Sequence, residues 1–235
     1  MTFDIAYVRP SDTLFKCFSH EAISMLVIAI QSPKGGVSKS TTSVSLARAF
    51  QKMGYAVALG ETDPQGTLRE WFADNDAQDV DLPKVVQLLS KDAILGIFDN
   101  TSLENIDILV IDGVANGFKE FISVSKVADL VVLITTPSPT DVKPLGDIVD
   151  VLEGKGKVAV FLMTKTKKGD DLTDIIRESL TDFGLPVLKN TIRDLKGFKT
   201  SWGVGRTVFE YKEYDHAQKD VMAVAEELLE LVGGE

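Results

Sequence analysis

Cysteine is nearly absent from this 235-residue chain: Cys17 stands alone. A lone thiol cannot close an internal disulfide and is a poor start for a metal centre, so the chain fits a reducing, cytoplasmic setting. Histidine is almost as scarce. His20 and His216 lie far apart in sequence and read as surface or packing residues rather than ligands, as do the two tryptophans, Trp71 and Trp202. No stretch approaches the roughly 18 uninterrupted apolar residues that a bilayer-crossing helix needs. The N-terminus lacks the basic region and apolar core of a secretory signal.

What is present is ordinary for a globular protein: 44% hydrophobic and 26% charged residues. The length suits one well-buried α/β domain and not two substantial ones. A net charge of −10 argues superficially against nucleic acid, whose phosphates dominate affinity. That charge is unevenly spread. Between Val151 and Lys212 there are 12 Lys/Arg against 8 Asp/Glu, leaving 13 against 27 elsewhere, a local +4 beside −14.

Apolar runs alternate with helix-periodic segments almost throughout. Strands are read at Val27–Ile30, Tyr55–Leu59, Lys84–Leu89, Ile106–Ile111, Asp129–Thr136, Lys157–Met163 and Pro186–Ile192. Helices are read at Ser43–Met53, Thr67–Phe72, Asp141–Leu152, Asp171–Phe183 and Tyr214–Leu231. Such alternation implies a doubly wound, mostly parallel sheet with helices on both faces. Residues 1–24 have no clear period and are set apart as an extension of unknown structure: an added strand, an arm, or upstream sequence if Met25 is the natural start. Residues 25–235 form the single domain.

The most informative segment follows the first strand: Lys34-Gly35-Gly36-Val37-Ser38-Lys39-Ser40-Thr41, with a helix directly behind it. Strand, glycine turn, Lys-Ser, helix is the context a phosphate-cradling P-loop requires. Glycines allow several N–H groups to converge on one anion, and the helix N-terminus adds partial positive charge. Lys39 would neutralise the β- and γ-phosphates, and Ser40 would ligate Mg²⁺. The ordinary G-x-x-x-x-G-K-[ST] pattern fails at both glycines, where Pro33 and Ser38 stand, and a second lysine, Lys34, opens the loop. Asp112 ends the apolar run Ile108–Ile111 at the sheet edge where ligands of doubly wound folds sit, a place for a carboxylate that holds Mg²⁺ through water.

The variant K-G-G-x-x-K-[ST] resembles the deviant Walker A of the ParA/MinD ATPases. Asp112-Gly113 and the stretch Ile134 to Asp141 resemble the small plasmid-partition ParA proteins typified by ParF, and the resemblance spans about Met25 to the last helix. It implies a Mg²⁺-dependent ATPase, slow and partner-stimulated, that pairs as a nucleotide-sandwich dimer. Lys34 becomes the lysine that reaches the partner subunit's phosphates, and Lys39 that of its own site. Glu61-Thr62-Asp63-Pro64-Gln65-Gly66 resembles the family's D-x-D-P-Q-G segment, which puts Asp63 on the attacking water and replaces the first Asp by Glu61. Thr164-Lys165-Thr166-Lys167 lacks the Asp that reads guanine, so ATP is favoured, with the adenine contact placed at Thr164.

Arg193, Lys196, Lys199 and Arg206 cluster after the last strand, with Asp194 the one acid between Lys189 and Arg206. By residue type alone this is a solvated face. The resemblance makes it a sequence-independent DNA-binding patch of the ATP dimer, doubled by pairing. The implied activity is DNA partition, as in plasmid segregation: a cytoplasmic protein, nucleoid-associated when ATP-bound, reset by hydrolysis under a centromere-binding ParB/ParG-like adaptor. Alternatives are a positioner of a protein cluster on the nucleoid, a weakly catalytic ATP-dependent scaffold, and a MinD-like membrane-positioning ATPase. The last needs a basic amphipathic terminal helix, whereas Ala225 to Leu231 is acidic, so no membrane partner is expected.

Overall fold

The structure, a computed structural model, describes residues 25–74, 80–115 and 117–233; the extension at residues 1–24 lies outside the described residues. Seven strands form one sheet: β1 (Leu26–Gln31), β2 (Val57–Glu61), β3 (Lys84–Gln87), β4 (Ile108–Asp112), β5 (Leu130–Thr135), β6 (Ala159–Thr166) and β7 (Ile192–Arg193). Their spatial order is β3-β2-β4-β1-β5-β6-β7, and every neighbouring pair runs parallel. Parallel neighbours need crossovers. Helices supply them: α1 (Lys39–Lys52), α2 (Thr67–Ala73), α3 (Lys91–Leu95), α4 (Phe118–Val127), α5 (Pro139–Val142), α6 (Gly146–Glu153), α7 (Asp171–Thr181), α8 (Lys196–Trp202) and α9 (Asp215–Gly233).

Central strands covered on both faces must be apolar at every position rather than at alternate ones. β1, β4 and β5 are buried from end to end. The period-two alternation still sorts their side chains into two layers. Ile28 and Ile30 join Leu46 and Phe50 of α1 and Val221 and Leu228 of α9. Val27 and Ala29 face the other way, joining Phe121 and Val124 of α4, Ile148 and Leu152 of α6 and Leu180 of α7. The register pairs Ile30 with Asp112 and Asp112 with Glu61, so the carboxyl ends of β1, β2 and β4 finish side by side. Ligands of open α/β sheets bind at that edge.

Three local readings differ from the observed chain. The helix expected over Asp141–Leu152 is interrupted at Pro144, which has no N–H to donate; a 3₁₀ turn at Lys143–Leu145 separates α5 from α6. The last strand lies later than Pro186–Ile192: Val187 makes only an isolated bridge to Phe161, and the paired strand is Ile192–Arg193. Three helices lie where none is read from the sequence, α3, α4 and α8, and the last runs through the basic cluster.

Candidate functional site

Two left-handed residues shape the loop between β1 and α1: Gly36 at φ 78° and Ser38, the residue before the helix, at φ 71°. Glycine takes that conformation freely, whereas a serine there costs about 1 kcal/mol. Left-handed residues at alternate positions help turn successive N–H groups toward one concave side, as in an anion-binding nest. The first amides of α1 have no intrahelical acceptor and add to it. The Ser38–Lys39 junction, with Lys39 buried and Ser38 half-buried, thus has the geometry of an anion nest.

Its electrostatics are equally specific. Lys39 is buried, and its Nζ donates to the Lys34 carbonyl at 2.9 Å. Burial lowers its pKa, opposed by the nearby charges of Asp112 and Asp63. Asp112 is also buried, and Ser43 Oγ donates to its Oδ1 at 2.9 Å. Burial pushes the Asp112 carboxyl up to about 6, and Glu61 adds to the push, against hydrogen bonds from Ser40 and Ser43 and the charge of Lys39. Thr62 Oγ1 fixes the strand end by donating to the Asp112 carbonyl at 2.7 Å.

Asp63 follows β2 in a tight turn: its Oδ1 accepts from the Gln65 amide at 2.9 Å, and Gly66 closes the turn at φ 77°. Glu61 has a different place from the one a metal-facing carboxylate would take. Its two oxygens accept from the Leu68 amide at 2.7 Å and from Arg69 Nε at 2.9 Å, so it anchors the N-terminus of α2 behind the Asp63 turn. Lys34 points away from its own loop. Its ammonium is paired with Asp141 and donates to Thr140 Oγ1 at 3.1 Å, while Thr136 Oγ1 donates to Asp141 at 2.6 Å. These bonds outweigh the opposing effect of burial and hold the Asp141 carboxyl below its ordinary value.

Gly35, Val37 and Thr41 lie in the loop and first helical turn as expected, and Gly36, Ser38 and Thr41 form one wall of a cavity of 390 Å³. The opposite wall comes from the ends of β6 and β7 and from Phe198 and Trp202 of α8. Thr164 lines this cavity, but its hydroxyl donates to the Val37 carbonyl at 2.9 Å, which ties it to the loop rather than leaving it free for a base.

The four basic residues are not gathered into one patch. Arg193 makes a two-toothed ion pair with Asp220, Nε to Oδ2 at 2.8 Å and Nη2 to Oδ1 at 2.7 Å. Arg193 and Lys199 line the cavity beside the loop, and Lys199 lies 3.6 Å from Asp194. Arg206 lines a separate cleft with Arg48 and Lys52. Lys196 and Lys199 are exposed on α8. Sequence reasoning missed Ser43, Asp141, Lys165 and Asp220, each of which acts on a predicted residue from a distant segment.

A model of the CobQ/CobB/MinD/ParA nucleotide binding domain matches residues 28–208. The chain belongs to this family. Curated relatives include the carboxysome-distribution protein McdA of Gloeobacter kilaueensis, 27% identical over 86% of this chain and 93% of its own. The sporulation initiation inhibitor Soj of Bacillus subtilis is 38% identical, over 35% of this chain and 32% of its own, so the chain matches about a third of Soj's length. Among solved structures, MinD of Pyrococcus horikoshii complexed with Mg-ADP superposes with a TM-score of 0.69 at 19% identity, covering 88% of this chain and 97% of its own. A plasmid partition protein of Borrelia burgdorferi bound to AMPPNP gives 0.66 at 16%, covering 88% and 100%. At these identities the likeness is one of fold.

The family's nucleotide-binding character agrees with the loop, and the donor set suits Mg²⁺: one hydroxyl to bind it directly and one carboxylate to hold it through water, with other positions left to water and phosphate. Among the described residues no three His, Cys, Asp or Glu side chains converge as a metal cage. The raised Asp112 has a measurable consequence in metal-free protein. An unfolded Asp titrates near 3.9, so between about pH 4 and 6 the folded state binds more protons, and stability from this group falls as pH rises. Keeping Asp112 ionised at neutral pH costs on the order of 3 kcal/mol. Asp112→Asn should therefore stabilise the metal-free protein, by more at about pH 7.5 than at about pH 4. Thermal melts of both forms in chelator check this; a difference independent of pH would discard the raised carboxyl.

Proposed function

We propose that this chain is an ATP-driven positioning ATPase of the partition type, which pairs around two ATP molecules and holds DNA without reading sequence. The observation that carries this reading is the separation of the two loop lysines. Lys39 lies buried within its own cradle. Lys34 projects from the loop onto Asp141, outside the nest. A lysine so placed serves a second nucleotide better than its own.

Lys39 and the loop amides bind and orient the phosphates, and Ser40 and Asp112 would hold Mg²⁺. Bound Mg²⁺ supplies charge neutralisation at the β- and γ-phosphates. Asp63, on its tight turn, orients the attacking water, with Glu61 and Arg69 keeping that turn in place. Hydrolysis removes the contact that holds two copies together and resets the protein. A ParB/ParG-like adaptor would accelerate that step.

Exposed Lys196 and Lys199 on α8 are the residues best placed to meet DNA phosphates, while Arg193 is engaged with Asp220 of α9 and Arg206 lines the separate cleft with Arg48 and Lys52. Positioning of a protein cluster on the nucleoid is the second reading, favoured by the match to McdA over most of both chains. Both readings share the DNA-bound ATP dimer. With ATP and Mg²⁺ at low salt the protein should retain duplex DNA of any sequence, and retention should fall steeply as salt rises. Replacing Lys196 and Lys199 together by Glu should abolish retention while ATP binding persists. No retention by wild-type protein under these conditions would make the adaptor-regulated scaffold the better account.

A further inference from the structure

Strand β6 ends irregularly, and the irregularity falls against the phosphate loop. The pairing of β6 with β7 shifts register between Thr164 and Thr166, and Lys165 between them is left-handed at φ 54°. In a regular strand Thr164 and Lys165 would point to opposite faces. A bulge re-aims side chains. Here both reach the same loop at adjacent peptides: Thr164 Oγ1 donates to the Val37 carbonyl at 2.9 Å, and Lys165 Nζ donates to the Gly36 carbonyl at 2.6 Å.

The consequence lies in peptide geometry. In a trans peptide the C=O and the following N–H point in opposite directions. Drawing the Gly36 and Val37 carbonyls toward β6 therefore turns the Val37 and Ser38 N–H groups away from it, to the phosphate side of the nest. We propose that Lys165, with Thr164, is an outer clasp that positions the loop amides for a polyphosphate, making Lys165 a positioning residue for nucleotide binding. A lysine kept in a left-handed conformation at this junction is strain of the kind that function maintains. The proposal rests on the nucleotide reading above and goes beyond it by assigning the loop's orientation to a residue outside the motif.

Calorimetry with ATP and with inorganic tripolyphosphate tests it on three variants. Lys165→Met removes the donor and keeps the side-chain length. It should weaken both ligands about tenfold, the loss of one charge-assisted bond. Lys165→Arg keeps a donor and should restore affinity to within a few-fold. Lys165→Gly relieves the left-handed strain, so a loss of phosphate affinity equal to that of Lys165→Met shows that the side-chain donor rather than the strained backbone positions the loop. The loss should persist in roughly 0.5 M salt, where exposed charges are screened within a few ångström.

Unchanged tripolyphosphate affinity in Lys165→Met, no recovery with Arg, or a loss that vanishes in high salt would each overturn the clasp. Failure of the wild-type protein to bind ATP or tripolyphosphate would instead remove the nucleotide reading itself.

Discussion

Lys39→Ala should weaken ATP binding at least a hundredfold. The side chain is buried, its Nζ is held at the loop by the Lys34 carbonyl, and it lies close enough to Asp112 and Asp63 for their charges to act on it. Charge-assisted bonds to phosphate are about twice as strong as neutral ones, and a single buried ammonium makes more than one. Losing about 3 kcal/mol or more of such contact corresponds to a factor of at least a hundred. Stability should move differently. Burial is the main influence on Lys39, so the charge is held at a cost in the nucleotide-free protein, and an uncharged side chain of similar length, Lys39→Met, should fold at least as stably as wild type. A variant that melts normally and binds no ATP gives a clean result by calorimetry. Wild-type affinity in that same variant would remove the loop as the nucleotide site.

The parts of this site that were legible in the sequence are those built by adjacent residues. The loop from Lys34 to Thr41, the carboxylate at the end of β4 and the Asp63 turn all follow from local spacing. Central strands were legible because burial on both faces demands unbroken apolar runs, as at Ile108–Ile111. Other features depend on which strands become neighbours. Lys34 and Asp141 are 107 positions apart and meet because β5 lies beside β1 in the sheet. Arg193 reads as a free cation until α9 brings Asp220 against it, 27 positions later. A run of basic residues in sequence thus became one ion pair, a cavity wall, a separate cleft and two exposed lysines. The role of Glu61 was hidden for a related reason: an acid after a strand could face metal or cap a helix, and only the position of α2 decides.

Lys34→Ala should leave monomeric ATP binding within a few-fold of wild type and abolish ATP-driven pairing. In the single chain Lys34 spends its charge on Asp141 and Thr140 rather than on its own nest. Its removal therefore takes little from the site that Lys39 serves. In the proposed dimer the ammonium would exchange Asp141 for a phosphate of the other subunit, and two-fold symmetry would make that exchange twice. Each exchange contributes the excess of a phosphate contact over the Asp141 pair it replaces, and about 1.5 kcal/mol from each of the two would make their loss weaken association about a hundredfold. The Asp141 pair would also make such pairing conditional, since without a phosphate to replace it Lys34 gains nothing by leaving. Light scattering of wild-type and variant protein with ATP and Mg²⁺ measures this directly. A Lys34→Ala protein that still forms the ATP-dependent dimer would place Lys34 outside the interface and leave its contact with Asp141 a purely internal one.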